Sequence, residues 1–118
     1  MQAKVLNRGD VTIVSLQGRL EIERANYLKK ICLDSLKNKK VVFCLDELSF
    51  VGSSGIQNFF GFIEEMNSNK TMNVKLAGLK PDFMRLWSFA QRSVELHQSI
   101  DSAVESFSPI VSLENLEK

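Results

Sequence analysis

The 118-residue chain, 44% hydrophobic and 25% charged, is long enough for one core built without metal or disulfide staples and too short for two domains. Its formal net charge of +1 argues against a general electrostatic attraction to nucleic acid or anionic membranes. No apolar run reaches the roughly 20 residues of a membrane span, and the opening MQAKVLNRGD lacks the apolar stretch of a secretory signal. The expectation is a cytoplasmic protein with neither membrane insertion nor direct nucleic-acid binding. Cys32 and Cys44 sit in apolar periodic segments without metal-ligand spacing, so they read as buried free thiols, with no metal and no cofactor.

Two β-rich runs at 3–6 and 11–16 flank Asn7, Arg8, Gly9 and Asp10, whose turn chemistry predicts an opening β-hairpin. From Ile22 the period changes. Ala25, Leu28, Ile31, Cys32 and Leu36 recur at intervals of three or four and predict one buried helix face, with Arg24, Lys29, Lys30 and Lys37 turned to solvent. The uninterrupted run 41–45 is short and begins with two β-branched valines, as suits a central strand covered on both faces. Residues 46–52 are expected to connect it to a second helix starting at Ser53 or Ser54, whose inner face is Ile56, Phe59, Phe60, Ile63 and Met66.

Alternation returns at MNVKLAGL, with Val74 and Leu76 on one side and Gly78 closing the strand. Pro81 fits the first turn of a third helix carrying Phe83, Met84, Leu86, Trp87 and Ala90. A short VELH strand precedes a last helix with Ile100, Ala103, Val104 and Phe107 inward. The order ββαβαβαβα predicts an α/β fold with a mixed, mostly parallel sheet, an N-terminal hairpin edge and about four helices. Residues 1–107 form the domain in this reading. The tail 108–118 could start another short helix from Ser108 and Pro109, bearing Ile110, Leu113 and Leu116, and either fold back or dock on a second copy as a homodimer contact.

The stretch FVGSSGIQNFF concentrates the candidate chemistry. Its serines lie where a strand runs into a helix N-terminus, where unsatisfied amides carry a partial positive charge of roughly half a unit and a serine can cap the helix. Capping alone would explain one serine; two between glycines ask for more. A hydrolase elbow needs G-x-S-x-G, and Gly52, Ser53, Ser54 and Gly55 are one residue short, with Ile56 where the last glycine belongs. A serine–histidine relay would depend on His97, the sole histidine, placed late in the chain after a short strand. A phosphate-binding loop is poorer still, since no Gly-Lys-Ser/Thr follows. The motifs therefore give no support to an enzyme.

The stretches LDELSFVGSSGI, LQGRLEIERA and GLKPDFMRLWSFA together resemble the STAS domain family, particularly the bacterial anti-sigma factor antagonists, over nearly the whole chain to Phe107. In that family a strand ending in an acidic residue leads through an apolar loop to Asp-Ser-Ser/Thr-Gly-Leu, whose first serine is phosphorylated. The resemblance implies Ser53 as the phosphorylation site, with Glu21, Val51, Gly52, Ser54 and Gly55 contacting partners. Gly52 stands where the family usually has aspartate. The implied partner is an anti-sigma factor, often itself a serine kinase, bound while Ser53 is unphosphorylated and released on phosphorylation; a phosphatase would reverse the switch. The alternative is a STAS subunit held permanently in a transporter or other assembly, its serine loop a contact surface only. Glu21 also has a plainer role open to it, as an acid beside the first helix start.

Overall fold

The computed structural model describes residues 2–50, 52–88 and 93–107. The element order is β1 (Gln2–Arg8), β2 (Val11–Leu20), α1 (Ile22–Ser35), β3 (Lys40–Phe50), α2 (Gly52–Ser68), β4 (Asn73–Ala77), α3 (Pro81–Ser88), β5 (Glu95–His97) and α4 (Ile100–Ser106). It reproduces the predicted ββαβαβαβα alternation. The five strands form one sheet in the order β1-β2-β3-β4-β5. β1 pairs antiparallel with β2, and all later pairings are parallel.

The hairpin closes more tightly than expected. Asn7 and Arg8 remain in the strand, Arg8 faces Val11, and only Gly9 and Asp10 form the loop. Gly9 takes φ +64, the left-handed value a two-residue hairpin asks of its first central residue.

Because consecutive strands are spatial neighbours, right-handed crossovers place α1, α2 and α3 on the same face of the sheet. There the main core forms. Ala25, Leu28 and Cys32 from α1 and Ile56, Phe59, Phe60 and Ile63 from α2 join Val14, Leu16, Val41, Phe43, Leu45 and Leu76 of the sheet. Trp87 of α3 packs edge-on against Phe60, with ring centroids 4.8 Å apart. The opposite face carries a smaller cluster, in which Ala103 of α4 meets Val11, Ile13, Val42 and Ala77, flanked by Ile100, Val104 and Phe107. With core on both faces, the run 41–45 is buried throughout, as a central strand should be.

Three residues or segments differ from the expected pattern. β3 does not end at Leu45 but runs on to Phe50. Its pairing with β2 jumps from Ser15↔Cys44 to Gln17↔Glu47, so Leu45 and Asp46 together oppose the single residue Leu16. This bulge resets the alternation: Asp46 and Glu47 are both exposed, and Leu48 returns to the core. A strand whose inward residues fall three apart looks like a loop to a period-two test. In α1, Ile31 is 40% exposed and lies outside the buried face. Ala25, Leu28, Cys32 and Leu36 centre that stripe, and Ile31 falls on its flank. Met84 of α3 is likewise exposed.

Candidate functional site

The site is built by two parallel strands that end side by side. Leu20, the last residue of β2, pairs with Phe50, the last of β3. The chains that leave them, Glu21 into α1 and Gly52 into α2, therefore start adjacent helices at the same edge of the sheet. Gly55 fixes how close they come. A Cβ added there would stand 3.1 Å from the carbonyl oxygen of Leu20, a tighter approach than side chains ordinarily make. Glycine lets the first turn of α2 lie against the end of β2.

Glu21 is the N-cap of α1, in extended conformation (φ −94, ψ 162), and its carbonyl accepts the Ala25 amide at 2.9 Å. Its side chain makes no capping hydrogen bond and is exposed. Glu21 follows directly on Leu20, the residue whose carbonyl Gly55 approaches. α2 begins at Gly52, one or two residues earlier than expected, so both Ser53 and Ser54 lie within its first turn. Their backbone amides are among the four that no helical carbonyl satisfies, which makes this the positive end of a 17-residue helix. The helix has no acidic residue in that turn. Val51 lies outside the described residues, as do the side-chain directions of Gly52's neighbours Ser53 and Ser54.

Below the serine turn, α1 and α2 leave a shallow groove of about 290 Å³ between Asn26, Lys29, Gln57, Asn58, Gly61 and Glu65. Lys29 and Glu65 approach to 3.7 Å across it. A second concavity, about 480 Å³, opens beside the bulge of β3 and the carboxyl ends of β4 and β5, between Asp46, Lys80, Met84, His97 and Gln98. His97 ends β5, two strands from β3, and its Nδ1 lies 2.9 Å from the Ser102 hydroxyl of α4. It is tied into the α4 side of the sheet rather than set beside the serines.

One interaction near α2 escaped the sequence reading. Glu64 accepts the Ser93 amide at 2.7 Å and the Val94 amide at 3.3 Å, anchoring the chain just before β5. Burial alone would raise its pKa, but these amides and the hydroxyls of Ser93 and Ser68 outweigh that and hold it below the ordinary glutamate value. A carboxylate on the polar flank of an amphipathic helix gives no sign, in sequence, of what lies 29 residues away. Cys32 and Cys44 are buried and unpaired, as expected, and burial pushes the Cys32 thiol up to about 12. Among the described residues no His, Cys, Asp or Glu group is arranged to hold a metal ion, and no helix is long and apolar enough to cross a membrane.

The model of the STAS domain matches residues 2–105. No curated protein sequence matches the chain. Among solved structures, the fold is similar to the anti-sigma factor antagonist SpoIIAA in its unphosphorylated form, with TM-score 0.67 and 14% identity over 92% of this chain and 100% of that one. It is similar to a candidate anti-sigma factor antagonist from Thermotoga maritima, tm1081, at TM-score 0.70 and 21% identity over 88% and 92%. It also resembles part of the murine anion transporter Slc26a9, at TM-score 0.66 and 14% identity, covering 86% of this chain and 18% of the transporter.

Proposed function

The chain belongs to the STAS domain family, and on that premise we propose that it is an anti-sigma factor antagonist switched by phosphorylation of Ser53. The observation that carries this reading is the pair Ser53–Ser54 in the first turn of α2, at the end of the central strand and against the end of β2, with an exposed Glu21 alongside. The unphosphorylated surface around Ser53, to which Glu21, Gly52 and Ser54 contribute while the buried Gly55 sets the turn against β2 rather than meeting the partner, binds an anti-sigma factor that acts as a serine kinase; a phosphatase restores it. SpoIIAA has been solved in a phosphorylated form as well as an unphosphorylated one, which supports a phosphoryl group as the switching chemistry.

Electrostatics explains how such a switch spares the fold. A phosphoserine carries about −1.5 to −2 charges, and a helix N-terminus is where a protein best tolerates them. The same charge beside the Glu21 carboxylate makes that end of the molecule strongly negative. A partner must then desolvate or face that charge, and a loss of about 3 kcal/mol lowers affinity roughly a hundredfold.

Recovering tagged protein from its native cells, then measuring its intact mass and its partners, tests this reading. A co-purifying anti-sigma kinase and a mass increment of one phosphate, lost in Ser53→Ala, support it. The second reading, a constitutive STAS subunit of a transporter or other assembly, is favoured by Gly52 in place of the family's aspartate and by the likeness to Slc26a9. Transporter subunits in the pull-down and an unmodified mass would select it.

A further inference from the structure

We propose that β1 is a self-association edge, through which two copies of this chain pair antiparallel about Val5 to form one continuous ten-stranded sheet. β1 is exposed along its whole length, and Val5 and Leu6, at its middle, are 57% and 52% exposed on opposite faces. It pairs with β2 in unbroken register from Gln2 to Arg8, with no bulge and no proline to blunt the outer edge. The other sheet edge, β5, has only three residues.

The hairpin decides which backbone groups are free. A two-residue loop makes Arg8 and Val11 a hydrogen-bonded pair, and strict alternation then turns the N–H and C=O groups of Asn7, Val5 and Ala3 away from β2. A second β1 meets those groups only in registers that pair odd residues with odd. Charge chooses among them. Centring on Lys4 sets that lysine against itself, and centring on Leu6 sets Lys4 against Arg8, both repulsive. Centring on Val5 pairs Val5 with itself, Lys4 with Leu6, Ala3 with Asn7 and Gln2 with Arg8. No like charges face each other, and all seven residues overlap.

The flank of α1 adds apolar surface to the same edge. α1 meets α2 through the side bearing Asn26 and Lys29. Helical phase then turns Ile31 and Tyr27, 40% and 61% exposed, away from α2, on the side where β1 lies. Val5 shares that face of the sheet, since its partner Val14 belongs to the main core. Two copies would enclose these residues in a groove over the paired strands. Antiparallel pairing points the two carboxyl edges in opposite directions, so each serine turn stays open to its own partner.

Sedimentation of the wild type, V5K and V5E at about 10–100 μM, where weak self-association registers, tests the proposal, with circular dichroism reporting the fold. The wild type should sediment at twice the chain mass, and V5K and V5E alone at the single mass. An equal mixture of the two variants should recover the dimer, because a lysine then faces a glutamate across the two-fold axis. A monomeric wild type, undiminished association of V5K, or a mixture that stays monomeric would each overturn it.

Discussion

Gly55, Gly78 and Cys32 are the residues at which the fold makes its most specific demands. At Gly55 two effects compete: alanine would gain about 1 kcal/mol in a helix, yet its Cβ would press on the Leu20 carbonyl at 3.1 Å. Gly55→Ala should therefore unfold within about 1 kcal/mol of the wild type. Gly55→Val has a larger volume and no such offset, and chemical denaturation should show a loss of about 2–3 kcal/mol. Gly78 has φ +72, and a Cβ there would land on the Asp46 carboxyl group, so Gly78→Ala should cost about 1–2 kcal/mol from backbone conformation alone. Replacing Asp46 with alanine in that background would relieve the collision but not the backbone cost. Cys32 is fully buried and its thiol is pushed up to about 12, so it should resist alkylation in native protein at neutral pH and react after unfolding. The SSG motif itself was legible in sequence. The glycine's partner was not, because the Leu20 carbonyl belongs to a strand 35 residues earlier.

The elements differ in how plainly their sequences declared them. α2 and β4 were legible because their apolar residues keep the helix and strand periods, whereas β3 hid its second half behind a bulge. Its Asp46–Glu47 pair is polar on both sides of the chain only because one extra residue shifts the pleat. The anchoring of α2 to the segment before β5 was invisible, since Glu64 is an ordinary surface acid until Ser93 and Val94 arrive. Glu64 and Glu95 both have native pKa values below their ordinary ones, Glu64 through amide and hydroxyl donors and Glu95 chiefly through Lys75. For each, the unfolded state binds more protons below the unfolded pKa of about 4.3, so the stability they contribute is fully present above that value and lost as pH falls through the native one. Glu64→Gln removes the charge and keeps one carbonyl acceptor. Its denaturation curves should show a loss of about 1 kcal/mol at neutral pH, shrinking toward zero as the solution is acidified through the glutamate range.

For the molecule as a whole, the alternation of periods sufficed to predict the sheet, because a sequential βα order leaves few ways to keep every crossover right-handed. What that order could not convey is the imbalance between the faces. Among the described residues, three helices cover one face and only α4 the other; the chain after Phe107, expected as a cover or a dimer contact, lies outside them. The geometry of the candidate site follows from the same order: β2 and β3 end together, so the starts of α1 and α2 lie at one edge of the sheet. Glu21→Arg puts a cation at the positive end of α1, so it should cost no more than about 1 kcal/mol in thermal stability while the backbone cap to Ala25 persists, and should weaken anti-sigma factor binding about tenfold in calorimetry. The proposed switch turns on Ser53 receiving the phosphoryl group. The direct measurement is intact and peptide mass after incubating wild type, Ser53→Ala and Ser54→Ala with ATP and the anti-sigma kinase captured from native cells. One phosphate should appear on wild type and on Ser54→Ala, none on Ser53→Ala, and the modified protein should leave the kinase. Phosphate that persists in Ser53→Ala, or a wild type that takes up none, would contradict it.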